Sequence, residues 1–278
     1  ELKIFFDRID FDISHTEFIQ NKNEIPCIVH KGDFLYIVFG TPISKNKQLG
    51  TAPLTIILFK GYIILVHKEP LKPLSDLLDE IQTDPSRLVK LSISNILYQI
   101  LADINDDFIT TVDKLGNEIE VIEERLVKFH DQNDVRKVYS LRRTLLFFKS
   151  VLRRNNNVVS MIIREETLRQ FIKDPAIYSS LNNSINQLIS LVDFYREMLT
   201  EVMQIYEGAL ANRLNDIMRY YGAVAALFLW PAIVSSIYGM NFKYIPLSQH
   251  VYGFYILMAI MVIGIIIMLL IFRGKKWL

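Results

Sequence analysis

Much of what catalysis or redox chemistry would use is scarce in this chain. Of 278 residues one is cysteine, Cys27. A single thiol forms no internal disulfide and suits a reducing compartment. No glycine-rich loop with its phosphate-binding lysine occurs, so nothing in the sequence points to ATP use. The five histidines, His15, His30, His67, His130 and His250, are scattered and form no ligand pair, which argues against a zinc site. His130-Asp131 and the dispersed serines assemble no nucleophile signature, so an enzyme is not expected. The net charge is +1, which implies no global attraction to nucleic acid. No signal peptide is visible, and because the first residue is Glu a short preceding stretch is expected.

Charge is also missing from two long stretches near the C-terminus, Tyr220–Tyr238 and Tyr252–Phe272. Each suffices to cross a hydrocarbon core as a helix, which takes about 20 residues at 1.5 Å each. Arg213 and Arg219 precede the first run, Arg273, Lys275 and Lys276 follow the second, and Lys243 is the one Lys or Arg between them. The positive-inside rule then puts both flanks in the cytoplasm and the loop outside. The expectation is a multi-pass protein of the plasma membrane with both termini cytoplasmic.

The preceding residues read as ordinary soluble sequence. Phe34–Phe39, Leu54–Phe59 and Tyr62–Val66 are strand-like, the last two joined by a turn at Lys60-Gly61. A short helix is expected over Leu74–Ile81, then a helix start at Asp84-Pro85-Ser86. From Ser86 to Phe129 apolar residues recur every three or four positions: Leu97, Ile100, Leu101, Ile104, Phe108, Val112, Leu115, Ile119, Ile122 and Leu126. A second helix is expected over Val135–Phe171, ended by Lys173-Asp174-Pro175. A third begins near Ala176 and meets no proline until Pro231. It runs into the first apolar stretch, about 63 residues or roughly 95 Å of helix. Its spacing is partly heptad-like, as suits packing against copies of itself. The stretch Asp103–Glu124 is acidic and the following helix is basic. This fits two antiparallel helices with complementary faces, or a surface that senses divalent cations.

Tyr238-Gly239-Met240-Asn241 follows a long apolar run and is followed by Phe242, Pro246, a second apolar run and a basic tail ending Lys275-Lys276-Trp277-Leu278. This arrangement resembles the CorA magnesium transporter family. The specific motif covers residues 210–278. The earlier part matches the family's architecture without sharp motifs. The resemblance implies an α+β cytosolic domain plus very long α-helices leading into a two-helix transmembrane hairpin, in a funnel-shaped homopentamer. The expected division is an α/β part (1–83), a helical part (84–175), a stalk (176–219), a pore-lining first span (220–238), an extracellular loop (239–251), a second span (252–272) and a basic cytosolic tail (273–278). Its partners are then its own copies, the lipid bilayer and divalent cations. Mg²⁺ is both cargo and regulator, with Co²⁺ and Ni²⁺ also admitted.

Site residues follow from the chemistry of the ion and from the resemblance. Mg²⁺ holds its waters tightly, and a ring of neutral amides accepts hydrogen bonds from that shell without binding the ion irreversibly. Asn241, once per subunit, supplies such a ring, with Gly239 providing an unusual backbone at the helix exit and Met240 propping the loop. From Asn241 one helical face carries Ser236, Ala232, Leu229, Ala225, Tyr221, Met218 and Asn215. By resemblance Met218 and Tyr221 match apolar rings of the inner pore and Asn215 a lower asparagine ring, although Tyr221 and Ala232 depart from the family's usual residues. Arg273, Lys275 and Lys276 would form a basic collar at the inner pore end, or an anchor to the cytoplasmic leaflet. In the family, cytosolic Mg²⁺ between subunits favours the closed state. Candidates for that role are Asp76, Asp79, Glu80, Asp103, Asp106 and Asp107, with a solvated surface as the alternative for each. A zinc-transporting relative and a membrane-anchored coiled-coil scaffold or sensor are the competing readings.

Overall fold

The structure is a computed structural model that describes residues 25–45, 48–83, 92–129, 132–241, 243–247 and 249–277. It divides into two compact units, Glu1–Met203 and Gln204–Leu278.

The first unit opens with four antiparallel strands in sequential order: β1 (Cys27–Lys31), β2 (Phe34–Lys45), β3 (Gln48–Phe59) and β4 (Tyr62–Val66). Gly32, at φ 59°, turns β1 into β2. The hairpin expected at Lys60-Gly61 is present, with both residues at positive φ (42° and 91°), as a two-residue turn requires. β2 and β3 extend well past the apolar runs that mark them in sequence. Their pairing continues through Gly40↔Pro53 and Pro42↔Thr51. A proline is tolerated in a sheet where no ladder N–H is needed. The shorter outer strands reach only Val38 (from β1) and Thr55 (from β4), so Pro42 and Pro53 lie beyond them.

Helices follow: α1 (Lys72–Thr83), α2 (Ile93–Phe129), α3 (Gln132–Arg164), two short 3₁₀ turns (Glu166–Gln170 and Pro175–Ile177) and α4 (Tyr178–Tyr238). The helix start expected at Asp84-Pro85-Ser86 lies outside the described residues. All ten apolar positions singled out between Leu97 and Leu126 are buried. α3 ends seven residues earlier than its periodicity suggests. Glu165 is extended, and the turn after it buries Leu168 and Ile172. The burial of these two side chains outweighs a local pattern that would have continued the helix.

α3 lies against the sheet at Gly40. A β-carbon there would sit 2.2 Å from Val151 Cγ1. Pro53 has no N–H to give, so the polar groups of Gly40 turn away from β3 and past the end of β1. The buried side chain of Asn155 meets both: its Oδ1 accepts from Gly40 N–H at 2.9 Å and its Nδ2 donates to Gly40 C=O at 2.9 Å. An amide side chain thus completes the ladder where a strand stops.

Within this unit α4 packs on α2 and α3 through apolar and polar contacts. Leu181, Ile185, Leu188, Val192, Leu199 and Val202 are buried. Tyr178 Oη donates to Ser94 C=O at 2.8 Å, Asn105 Nδ2 to Ser184 Oγ at 2.9 Å, and Ser160 Oγ to Asn182 Oδ1 at 2.9 Å. Lys149 of α3 pairs with Asp193 of α4, which also takes Arg196. Tyr195 closes on Gly116, where a β-carbon would lie 2.3 Å from its Oη.

The second unit holds the remainder of α4, a connecting loop and α5 (Gly253–Gly274). α4 continues through Gly208, Gly222 and Pro231 without a break.

Asn155→Ala strands two buried backbone groups, each worth about 1–3 kcal/mol when unsatisfied. The expected loss is about 2–4 kcal/mol, read as a lower thermal transition of the full-length protein in detergent, with the exposed Asn157→Ala close to wild type.

Candidate functional site

The two apolar helices of the second unit are long and apolar enough to cross a membrane. They touch along one seam. On the apolar part of α4 the buried or half-buried residues are Ala223, Val224, Ala226, Leu227, Trp230, Pro231, Val234 and Tyr238; on α5 they are Gly253, Leu257, Met261, Gly264, Ile265, Met268 and Phe272. Both sets recur at three- and four-residue steps, as one helix face must. Trp230 fills the notch left by Gly264, where a β-carbon would stand 2.1 Å from the indole Nε1.

Opposite this seam α4 shows a second face. Asn215, Met218, Tyr221, Ala225, Leu229, Ala232 and Ser236 are all exposed. The sequence-derived pore face is therefore the face that α5 leaves uncovered. Most other side chains of α5 are exposed as well, and they are apolar: Phe254, Ile263, Ile267 and Leu270 among them. Water would not tolerate so much exposed hydrocarbon, whereas lipid or further helices would.

α4 ends at Tyr238. Gly239 N–H still bonds Ser235 C=O at 2.9 Å, and Met240 N–H bonds Ile237 C=O at 3.3 Å. One expectation needs correction. Gly239 is not in the left-handed region; positive φ in this loop falls on Leu247, at 65°. What Gly239 supplies is closeness, since a β-carbon would be 3.3 Å from Ser235 O. Met240 is 49 % exposed. Asn241 follows directly and is exposed, three residues beyond the end of α4. Ahead of α5, His250 N–H bonds Leu247 C=O at 3.2 Å and Gly253 N–H bonds His250 C=O at 2.8 Å. Gly253 is required here, because a β-carbon would fall 2.0 Å from Leu247 O.

In the first unit α1 and α2 bring most of the proposed regulatory acids together. Asp76, Glu80, Asp103, Asp106 and Asp107 line one cavity of about 330 Å³, with Lys72, Gln99 and Thr110. Asp79 does not line it. Burial pushes the Asp103 carboxyl above its ordinary value, and the neighbouring Asp106, Glu80 and Asp76 push it further. Asp107 is raised by burial and by Asp76, against the opposing pull of Lys72 and Lys114. Among the described residues no three His, Cys, Asp or Glu side chains converge closely enough to hold a bare metal ion. The sequence pattern did not show that α1 and α2 would face one another across this cavity.

A folded body of sheet and helices, a helix that continues into an apolar hairpin, and an asparagine where that hairpin opens define a membrane-transport type of architecture. A family model described as CorA-like Mg²⁺ transporter protein matches residues 5–276, and the chain belongs to this family, whose members are transporters and not enzymes. It is 29 % identical to the cobalt/magnesium transport protein CorA of Methanocaldococcus jannaschii over 279 residues, covering 100 % of this chain and 88 % of the relative. The protein of the same name from Thermotoga maritima is 22 % identical over 264 residues, covering 94 % and 75 %. The complete structure of the M. jannaschii CorA magnesium transporter superposes with a TM-score of 0.90, covering 100 % of this chain and 88 % of that one. The full-length CmaX protein, 18 % identical, shares the fold with a TM-score of 0.73 over 96 % of this chain and 82 % of its own.

Two outcomes follow. Gly264→Ala drives a methyl into the Trp230 indole and is expected to lower the thermal stability of the membrane part, with Trp230→Leu in the same chain restoring part of it. Asp103 binds its proton more tightly folded than unfolded, so its own contribution to stability is fully present at low pH and is lost as pH rises from about 3.8 through the raised native value. Asp103→Asn should raise the neutral-pH melting temperature and flatten that slope. An unchanged slope in a pH series of melts counts against the crowding.

Proposed function

We propose that this chain is the subunit of a homopentameric channel that carries Mg²⁺ into the cell, also passes Co²⁺ and Ni²⁺, and uses a ring of Asn241 side chains to select the hydrated ion. The single observation that carries this reading is the uncovered face of α4. Two helices cannot enclose an aqueous path, so an exposed stripe on α4, with a polar Asn in the loop just beyond the helix, calls for further copies around a common axis. The relatives named cobalt/magnesium transport protein support the cargo.

In this reading the physics is attraction without capture. Asn241 amides accept hydrogen bonds from the ion's water shell and leave its octahedral shell intact. Ser236 adds a hydroxyl below. Leu229, Tyr221 and Met218 form narrower apolar levels that close by shedding water, and Asn215 returns a polar level beneath them. Arg273, Lys275 and Lys276 place positive charge on the cytoplasmic side of the second span. The driving force is the membrane potential: about 4.6 kcal/mol for a dication crossing ~100 mV.

Regulation belongs to the acidic cavity between α1 and α2. Asp76, Glu80, Asp103, Asp106 and Asp107 repel one another there, and a hydrated dication relieves that repulsion. For negative feedback the ion must bind the closed form better than the open one.

Flux into liposomes tests the filter. Asn241→Ala and Asn241→Asp should each abolish or reshape selective Mg²⁺ uptake, while light scattering of the detergent-solubilised protein gives the subunit count. Wild-type flux in both variants would remove Asn241 from the filter.

A further inference from the structure

The C-terminal end of α5 is a built turn. Lys275 N–H bonds Ile271 C=O at 3.0 Å, Lys276 N–H bonds Arg273 C=O at 3.1 Å, and Trp277 N–H bonds Phe272 C=O at 2.9 Å. Lys276 sits at φ 59°, a left-handed conformation that usually falls to glycine. This is the pattern of a Schellman cap, completed by its hydrophobic contact: the Trp277 ring stacks on Phe272 at 5.8 Å and 12°. Lys275 Nζ stands 5.3 Å over the Trp277 ring.

Basic residues at a helix C-terminus ordinarily complement the exposed carbonyls. Here the backbone already satisfies three of them, so the cations are not needed for capping. Among the described residues Arg273, Lys275 and Lys276 carry no ion pair. The cap also fixes their depth. Leu270 and Ile271, 67 % and 50 % exposed, are the last aliphatic residues of the apolar helix. Phe272 closes it, and the three cations and the indole follow within five residues. In a bilayer, hydrocarbon gives way to phosphate over that distance, and tryptophan and lysine favour that boundary.

We propose that this turn is a docking site for the phosphate of an anionic phospholipid, with Trp277 folded back as its floor and Arg273, Lys275 and Lys276 as its donors. The inference rests on α5 spanning the membrane, and its readout is lipid binding, independent of ion flux. The collar implied by the family resemblance would turn the same charges toward the ion path and give them no lipid preference.

The full-length protein, reconstituted in phosphatidylcholine with trace spin-labelled phosphatidylglycerol or phosphatidylcholine, reports association by its motionally restricted fraction. Phosphatidylglycerol should be enriched several-fold over phosphatidylcholine. The enrichment should vanish in Arg273→Gln/Lys275→Gln/Lys276→Gln and fall by half or more in Trp277→Ala, whose three cations remain. Lys276→Gly, which suits the left-handed turn, should keep most of it. Melting temperature and elution volume confirm that each variant is folded. Equal association of the two lipids overturns the proposal, as does an enrichment that survives the triple substitution. An enrichment untouched by Trp277→Ala leaves only a loose basic tail and overturns the built site. Displacement by millimolar inorganic phosphate, against chloride at equal ionic strength, would assign the turn to a free anion and overturn the lipid reading.

Discussion

Hydrocarbon offers no partner to a backbone N–H or C=O, so a chain that crosses it must satisfy these groups internally. The C-terminal third follows from this constraint. α5 carries the requirement with an uninterrupted run of aliphatic and aromatic residues. α4 carries it with a sequence that is small or weakly polar on one side. Pro231 is the single place where it relaxes, removing the N–H that would have met Leu227 C=O. The hairpin then has only one seam in which to pack, and the Trp230–Gly264 fit supplies it. Once that seam is used, the other face of α4 is left uncovered among the described residues. An oligomer is the answer that such geometry invites, because self-association converts an exposed stripe into an enclosed one.

In the body, close approach is achieved by omitting side chains. Gly40 and Gly116 each stand where a β-carbon would collide, with α3 in one case and Tyr195 in the other. Asn155 then answers the polar groups that such proximity would otherwise bury unmet. The contacts between α4 and its neighbours in this unit are unusually rich in Ser and Asn. Their hydrogen bonds are directional and fix register, where an all-aliphatic seam would tolerate slippage. Lys149, Asp193 and Arg196 add a charged version of the same constraint.

Which parts could be read without coordinates follows from the range over which each signal acts. The α2 face was legible because its stripe of ten apolar residues is local and long. The two apolar runs and the Lys60-Gly61 hairpin were legible for the same reason. The end of α3 was not: the burial of Leu168 and Ile172 is a tertiary event, and no proline or glycine marks Glu165. The full length of β2 and β3 extends beyond their apolar runs, and the pairing crosses Pro42 and Pro53 because the short outer strands leave their N–H positions unused, a fact of tertiary pairing. Five of six regulatory candidates share a cavity because α1 and α2 face each other, a fact of packing and not of spacing. The cap at Lys276 was masked by its residue type, since lysine gives no hint of a left-handed turn.

The proposed filter and the acidic cavity put opposite demands on one ion, and the side chains differ accordingly. Passage needs a site that the ion leaves quickly, so its donors must be neutral: a ring of carboxylates at Asn241 would hold a dication by charge as well as by hydrogen bonds. Sensing needs a site that fills at cytosolic concentration and empties below it, so charge is useful and speed is not. The carboxyls of Asp103 and Asp107 are raised first by burial, and repulsion from neighbouring acids adds to it, most of all at Asp103. Among the described residues no three of these acids close on a common point, so in the proposed reading an ion that relieved them would keep its water shell, with an affinity set by the number of carboxylates around it. Removing one acid then weakens binding by a fraction without abolishing it, which gives a graded sensor. A cage of direct ligands would lose its ion at the first substitution, and would respond as an on–off switch.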